Sequence, residues 1–461
     1  MSRAFDAIII GAGQAGPPLA ARLTAAGRSV ALVERKLFGG TCVNTGCMPT
    51  KTLVASAYAA HLARRAADFG VVLEGPVGID MKRVKARADA VVHKARGGVE
   101  KMLKTMQGCT VFEGAARFES ATEVRVGEEL LRAPQIFINV GGRAAVPDMP
   151  GVHDVPFLTN GSMLALETLP RHLVVVGGSY IGLEFAQMYR RFGSAVTVVE
   201  KGPRLIARED EDVSAAVREI LEAEGIIVRT GAECISFAPH ADGVSVGVDC
   251  TDGEPREIGS HALLAVGRTP NTADLGLEAA GVALDARGYI TVDDQLQTNV
   301  PGIYALGDCN GRGAFTHTAY NDFEIVAANL LDGDDRRVSD RIPGYALYID
   351  PPLGRVGMSE TEARRSGRPL LIATRPMTRV GRAVEKGETR GFMKAIVDAE
   401  THQILGASIL GTSGDEAIHG IIDLMSTKAP YTMLTRSVPI HPTVSELLPT
   451  LFGDLKPASP D

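Results

Sequence analysis

The sequence predicts an α/β chain: two Rossmann-like dinucleotide-binding domains, then a C-terminal α+β domain. Three observations carry that expectation. A strand–glycine turn–helix–strand unit opens the chain. The same unit recurs over residues 173–200. Beyond about residue 340, apolar runs such as 391–398 and 402–410 alternate with helical ones.

In the first copy, Ala7-Ile8-Ile9-Ile10 runs into Gly11-Ala12-Gly13-Gln14-Ala15-Gly16. A helix is expected from 17 to about 26, with Pro17 and Pro18 tolerated in its first turn and Gly27 ending it. A second strand over 29–33 leads to Glu34. In the second copy, Leu173-Val174-Val175-Val176 enters Gly177-Gly178-Ser179-Tyr180-Ile181-Gly182, followed by a helix, Gly193, a strand and Glu200. The same 23 positions separate Gly11 from Glu34 and Gly177 from Glu200. One glycine fingerprint is weak; two in full context, each with an acid at the same distance, are strong.

The physics of the two copies is shared. Gly11 and Gly177 make the tight turn. Gly13 lets the backbone approach a pyrophosphate resting on the helix N-terminus, and Ser179 is a slightly looser substitute. Gly16 and Gly182 let helix and strand pack closely. Glu34 and Glu200 are placed to bond a ribose 2′-hydroxyl. Two such sites imply two cofactors, or one cofactor and one substrate.

Bulk properties set bounds. The chain of 461 residues allows several domains. Its net charge of −7 gives no reason to expect nucleic acid as a partner. The basic stretch over 81–104 has apolar residues at helical spacing and reads as a solvated amphipathic helix. The early apolar run is too short for a signal or a membrane span, so a cytoplasmic protein without membrane contact is expected. Six cysteines in so long a chain make no disulfide framework. Cys109, Cys234, Cys250 and Cys309 are expected to be small buried hydrophobes. Only Cys42 and Cys47 pair by spacing. No metal site is expected.

That pair sits in Gly39-Gly40-Thr41-Cys42-Val43-Asn44-Thr45-Gly46-Cys47-Met48-Pro49-Thr50-Lys51. A regular helix would set residues five apart about 7.5 Å apart along its axis, whereas a disulfide needs Cα atoms roughly 4.4–6.8 Å apart. The segment must therefore be distorted, and Gly46 supplies the permissive backbone. The motif resembles the redox-active disulfide of the class I pyridine nucleotide-disulfide oxidoreductases, the flavin-dependent family of glutathione reductase, dihydrolipoyl dehydrogenase and mercuric reductase. Gly302-Ile303-Tyr304-Ala305-Leu306-Gly307-Asp308 resembles the family's second flavin motif. Pro439-Ile440-His441-Pro442-Thr443-Val444-Ser445-Glu446 resembles its His-Pro-Thr-x-x-Glu signature.

The resemblance spans nearly the whole chain and implies much. The first fingerprint would bind FAD, with Thr41, Lys51, Ala115, Gly307, Asp308, Thr316 and His317 also on the cofactor. The helix beginning near Thr316 would turn its positive N-terminus to the flavin, with His317 as a backbone-positioning residue. The second fingerprint, with Tyr180, Ile181 and Gly267, would bind the nicotinamide nucleotide. Glu200 would repel a 2′-phosphate and favour NADH over NADPH; Lys201 and Arg204 would soften that preference. Cys47 would lie against the flavin and Cys42 would attack the substrate. Lys51 would pair with Glu184. His441, oriented by Glu446, would move protons for Cys42, and in the family it comes from the other subunit of a homodimer.

The implied layout is an FAD domain over 1–145 and 268–338, a nicotinamide domain over 146–267, and a dimerisation domain over 339–461. In detail the chain is most similar to mercuric-reductase-like and reactive-chlorine-resistance-type flavoproteins, on Gly46-Cys47-Met48-Pro49-Thr50-Lys51-Thr52-Leu53-Val54 and Pro351-Pro352-Leu353-Gly354-Arg355-Val356-Gly357-Met358. The tail after Leu451 holds no cysteine pair of the kind that passes Hg(II) inward. The expected activity is transfer of electrons from NAD(P)H to Cys42–Cys47, and on to a disulfide or soft-metal-ion substrate. Dihydrolipoyl dehydrogenase is the alternative, and a flavoprotein subunit of a larger complex ranks below it.

Overall fold

The structure is a computed structural model and describes residues 2–459. Strand β1 (Ala7–Ile10) is fully enclosed: Ile8 and Ile9 have no exposed surface. An all-apolar run of this kind belongs inside a parallel sheet covered on both faces. Helix α1 (Gly16–Ala25) follows, then β2 (Val30–Glu34). Helix α2 (Cys47–Arg64) carries the second cysteine of the motif at its first position. Helix α3 (Met81–Thr105) is the amphipathic basic helix, N-capped by Asp80, which accepts from the Arg83 N–H at 3.1 Å. Strands β3 (Cys109–Glu113) and β4 (Gln135–Ile138) come next.

The second unit has β5 (His172–Val176), α4 (Tyr180–Phe192), β6 (Ala195–Val199), α5 (Glu211–Ala223), β7 (Ile227–Arg229) and β8 (His261–Leu264). The chain then returns as β9 (Ile303–Ala305) and enters α6 (Thr316–Ala327).

Both units are parallel sheets with the same order. The first runs β9-β4-β1-β2-β3 and the second β8-β5-β6-β7. In each, the strand feeding the glycine turn is flanked by the strand ending in glutamate and by a later returning strand. The internal repeat seen in the sequence is thus a repeat of topology. The two places where the chain crosses between units lie side by side: Gly142–Ala144 pairs antiparallel with Arg268–Pro270.

The strands after residue 340 form a different object. β10 (Gly344–Leu347), β11 (Leu353–Gly357), β12 (Leu370–Pro376), β13 (Phe392–Asp398), β14 (Ile404–Leu410) and β15 (Lys456–Pro457) make one antiparallel sheet in the order β10-β11-β14-β13-β12-β15. Short helices cover it and build a core from Ile409, Ile421, Leu451 and Phe452. The chain is therefore α/β, with two Rossmann-like units and a C-terminal α+β domain. Among the described residues no helix is long and apolar enough to cross a membrane.

Two glycines test the packing logic in opposite directions. A Cβ on Gly182 would sit 2.0 Å from the Gly177 carbonyl oxygen, whereas one on Gly97, inside α3, meets nothing within 4 Å. Gly182→Ala is expected to destabilise by about 1–3 kcal/mol. Gly97→Ala is expected to stabilise by about 0.5–1 kcal/mol. Urea unfolding midpoints of the two variants should move to opposite sides of wild type.

Candidate active site

The two glycine turns match down to single hydrogen bonds. Gly11 (φ +108°) and Gly177 (φ +116°) take left-handed backbone, and a Cβ on them would fall 2.3 Å from the Asn139 oxygen and 2.4 Å from the Ala265 oxygen. Glu34 Oε2 accepts from the Ala12 N–H at 2.9 Å, and Glu200 Oε2 accepts from the Gly178 N–H at 2.6 Å. Their second oxygens accept from the backbone N–H groups of Lys36 (2.8 Å) and Gly202 (2.7 Å). Each acid thus closes its own turn as well as standing at the strand end.

The cysteine segment is broken where the sequence requires it. A short helix, Gly40–Asn44, stops at Thr45, and α2 begins afresh at Cys47. A Cβ on Gly46 would lie 2.8 Å from the Thr41 carbonyl oxygen, so the break needs glycine. Asn160 Nδ2 donates to the Thr45 carbonyl at 2.7 Å and pins the break from the second unit. Cys42 and Cys47 are present as thiols that share a hydrogen bond.

Their surroundings make them unequal. The hydrogen bond from Cys42 is the largest influence on Cys47. With Thr316 Oγ1, 3.2 Å away at the start of α6, and the nearby Lys51 charge, it outweighs burial and lowers the Cys47 thiol to about 6. Cys42 is driven the other way by the same hydrogen bond and by burial. The proton therefore stays on Cys42 and the negative charge on Cys47.

Lys51 lies one turn along α2 from Cys47. Its Nζ is 2.7 Å from Glu184 Oε2 on α4 and 4.6 Å from the centre of the Tyr348 ring. Glu184 Oε1 accepts from the Tyr348 N–H at 3.0 Å. One carboxylate thus joins the thiol helix, the second unit and the C-terminal domain.

A cavity of about 1770 Å³ runs through this region. Gly11, Gly13, Glu34, Thr41, Cys42, Cys47, Lys51, Ala115, Gly307, Asp308, Thr316 and His317 line it, and so do Gly177, Ser179, Tyr180, Ile181, Glu184, Glu200 and Gly267. Gly16 and Gly182 are not in its wall; they sit behind it, against the turns. Asp308 Oδ2 accepts from Arg268 Nε at 3.2 Å. His317 donates Nε2–H to the Gly344 carbonyl at 2.8 Å, and burial lowers its pKa, so it positions backbone as a neutral ring. Arg204 is tied to the Ala207 and Glu209 carbonyls, while Lys201 and Arg208 line the cavity.

His441 and Glu446 stand apart. Nδ1–H of His441 donates to Glu446 Oε2 at 2.8 Å, the His441 side chain is 81% exposed, and neither residue lines this subunit's cavity. Among the described residues no group of three or more His, Cys, Asp or Glu side chains is placed to hold a metal ion.

One sequence expectation is overturned. Cys234 and Cys250 are not small buried hydrophobes: they form a disulfide, with Cα atoms 5.9 Å apart, and Cys250 is exposed. Their separation of 16 residues carries no motif, and the turns after β7 and around 249–253 bring them together. Cys309 is fully buried as expected, and burial pushes its thiol up to about 12. Cys109 is only partly buried. Sequence reading also missed the contact of Thr316 with Cys47 and the role of Tyr348. Glu184, Gln187 and Arg191 recur at helical spacing on α4, a polar stripe inside an otherwise buried helix, and that was the available signal.

A helix-led glycine turn, a second one, and a paired-thiol helix between them define a flavin-linked disulfide oxidoreductase. Residues 5–322 match the family described as Pyridine nucleotide-disulphide oxidoreductase, and residues 343–452 match its dimerisation domain. The chain belongs to this family: it is an oxidoreductase of the flavoprotein disulfide reductase type. Its relatives include the probable pyridine nucleotide-disulfide oxidoreductase RclA of Escherichia coli K12, 37% identical over 98% of this chain and 99% of the relative. Another is dihydrolipoyl dehydrogenase of Thermus scotoductus, 35% identical over 96% of each. The solved Cu(II) complex of the HOCl-induced flavoprotein disulfide reductase RclA from Escherichia coli superposes with a TM-score of 0.89 at 35% identity, covering 98% of this chain and 99% of that one.

The unequal thiols give a pH signature. In reduced protein, Cys47 is expected to be thiolate above about pH 6 and to lose its charge as pH falls through that value. Ultraviolet thiolate absorbance against pH measures it. Thr316→Val and Lys51→Met each remove a group that favours the thiolate, so each should raise the midpoint.

Proposed function

We propose that this chain is an FAD-dependent NAD(P)H oxidoreductase that delivers electrons through Cys42 and Cys47 to a disulfide or soft-metal-ion substrate. The observation that carries it is a pair of thiols on either side of a helix break, in one cavity with both glycine turns. The cavity fits FAD: it spans both glycine turns, the first turn opens onto it just before the α1 N-terminus, and Gly13 leaves room for close approach. The first fingerprint, Glu34, Thr41, Ala115, Gly307, Asp308, Thr316 and Lys51 would hold it. When bound, FAD supplies the two-electron link between the nicotinamide and the sulfur pair. The domain layout proposed with it is FAD over 1–145 and 268–338, nucleotide over 146–267, and dimerisation over 339–461.

The chain's own residues then divide the work. Lys51 and Thr316 hold negative charge at Cys47. Cys42, which keeps the proton, is the sulfur that exchanges with substrate. His441 of the partner subunit, held as the Nδ1–H tautomer by Glu446, takes that proton at Nε2 and returns it to the leaving thiol. The matched dimerisation domain supports a homodimer.

NADH is the favoured nucleotide. The Glu200 carboxylate on the cavity wall would repel a 2′-phosphate, while Lys201 and Arg208 on the same wall would act in the opposite sense. Glu200→Ala is expected to narrow the ratio of kcat/KM for NADH over NADPH.

For the acceptor, two soft sulfurs suit Cu(I) or Hg(II), and the Cu(II) complex of the Escherichia coli relative supports including copper. Dihydrolipoyl dehydrogenase is the second reading, favoured by the His441–Glu446 pair and by the Thermus relative. NADH oxidation against Cu(II), Hg(II), glutathione disulfide and lipoamide separates them. Turnover confined to lipoamide would favour the second reading. In holoprotein, Cys42→Ser should show long-wavelength thiolate–flavin absorbance and Cys47→Ser should not; the reverse would exchange the roles of the two sulfurs.

A further inference from the structure

The Cys234–Cys250 disulfide lies outside the chemistry above, yet it is joined to the nucleotide loop by a short run of hydrogen bonds. Glu200 N–H donates to the Arg229 carbonyl (2.7 Å), Ala232 N–H to the Glu200 carbonyl (3.0 Å), and Gly231 N–H to the Gly202 carbonyl (2.7 Å). Gly202 in turn gives its N–H to the Glu200 carboxylate at 2.7 Å, and the other oxygen of that carboxylate closes the second glycine turn. The segment 229–232 is therefore the backing of the loop that carries Glu200. Cys234 follows two residues later, and Ile235 next to it lines the cavity.

The other half of the disulfide is a separate loop, 249–255. Arg229 holds it through Thr251 Oγ1 (2.6 and 3.1 Å) and the Glu254 carbonyl (2.9 Å), while pairing with Glu257 at 2.7 Å. Cys250 is exposed, so a small thiol reaches its sulfur from solvent. Each cysteine N–H also donates to its partner's sulfur, at 3.2 and 3.1 Å. Cutting the S–S bond removes the covalent tie between the two loops, leaves hydrogen bonds such as those of Arg229 to join them, and so loosens the support behind Glu200.

We propose that Cys234–Cys250 is a second, regulatory redox site, at which thiol–disulfide exchange with a small dithiol or disulfide sets the affinity for the nicotinamide nucleotide. A dithiol's thiolate attacks Cys250 Sγ, the S–S bond breaks, and Cys234 leaves as a thiolate and takes a proton. The dithiol's second sulfur then displaces Cys250, which takes the second proton. The protein gains two thiols and the dithiol becomes a disulfide; a small disulfide reverses the reaction. The oxidised form has the more ordered loop and binds tighter, because less conformational freedom remains to be lost on binding. The proposal rests on Glu200 belonging to the nucleotide site.

The test uses holoprotein carrying Cys42→Ser and Cys47→Ser, so that dithiothreitol can act only at the other pair. Rapid mixing follows flavin bleaching against NADH concentration. Dithiothreitol treatment should raise the apparent Kd about fivefold at an unchanged limiting rate, and glutathione disulfide should restore it. Adding Cys234→Ser and Cys250→Ser should fix the raised value and abolish the response to dithiol. An unmoved Kd, once mass spectrometry shows both cysteines alkylated after treatment, overturns the proposal; so does alkylation of both before treatment. Glu200→Ala runs alongside. If it raises the Kd while the dithiol does not, the regulatory site alone is wrong. If Glu200→Ala leaves Kd unchanged, the nucleotide-site assignment fails first.

Discussion

Three parts of the molecule meet at the Glu184 carboxylate. One oxygen takes the Lys51 ammonium from the thiol helix and the other takes the Tyr348 N–H from the C-terminal domain, while Glu184 itself belongs to the helix of the second glycine turn. Two further residues of α4 extend the joint. Gln187 exchanges hydrogen bonds with the Asp350 backbone (2.8 and 2.7 Å), and Arg191 reaches the Asp350 carboxylate at 2.7 Å. The geometry of the cavity depends on this seam. Breaking a fully buried pair of this kind costs about 3–5 kcal/mol because a charge is left unpaired. Here the Lys51 side chain is 32% exposed and water would recover part of that. The greater consequence is positional, since the Lys51 charge also contributes to the field at Cys47.

That field separates the duties of the two thiols. A symmetric dithiol would share its charge. Here the hydrogen bond between the sulfurs drives the two apart, toward a thiolate at Cys47 and a thiol at Cys42, and the Thr316 hydroxyl and Lys51 add to the thiolate's stability at Cys47. The helix break at Thr45–Gly46 is what allows both sulfurs to be in one place while each belongs to a different helix. Local backbone chemistry and long-range electrostatics thus serve a single asymmetry.

Much of this was legible in the sequence because it is local or periodic. The two fingerprints, their glutamates and the glycine between the cysteines are short-range patterns with steric causes, and each appears where its spacing puts it. The Lys51–Glu184 contact spans 133 residues and was expected only through family resemblance. The Cys234–Cys250 bond was misjudged because two surface loops create it and no spacing rule marks it. Thr316 was expected near the cofactor, but its contact with Cys47 depends on how α6 docks against α2. The role proposed for the exposed His441 depends on a second copy of the chain, which no local pattern describes.

The central claim is that the Cys42–Cys47 pair stores electrons in contact with a bound flavin. Anaerobic dithionite titration of the holoprotein beside Cys47→Ser tests it most directly, because every other reducible group is common to both. Wild type should consume one disulfide's worth of electrons more than the variant before the flavin is fully bleached. Equal consumption would contradict a redox-active pair at this site.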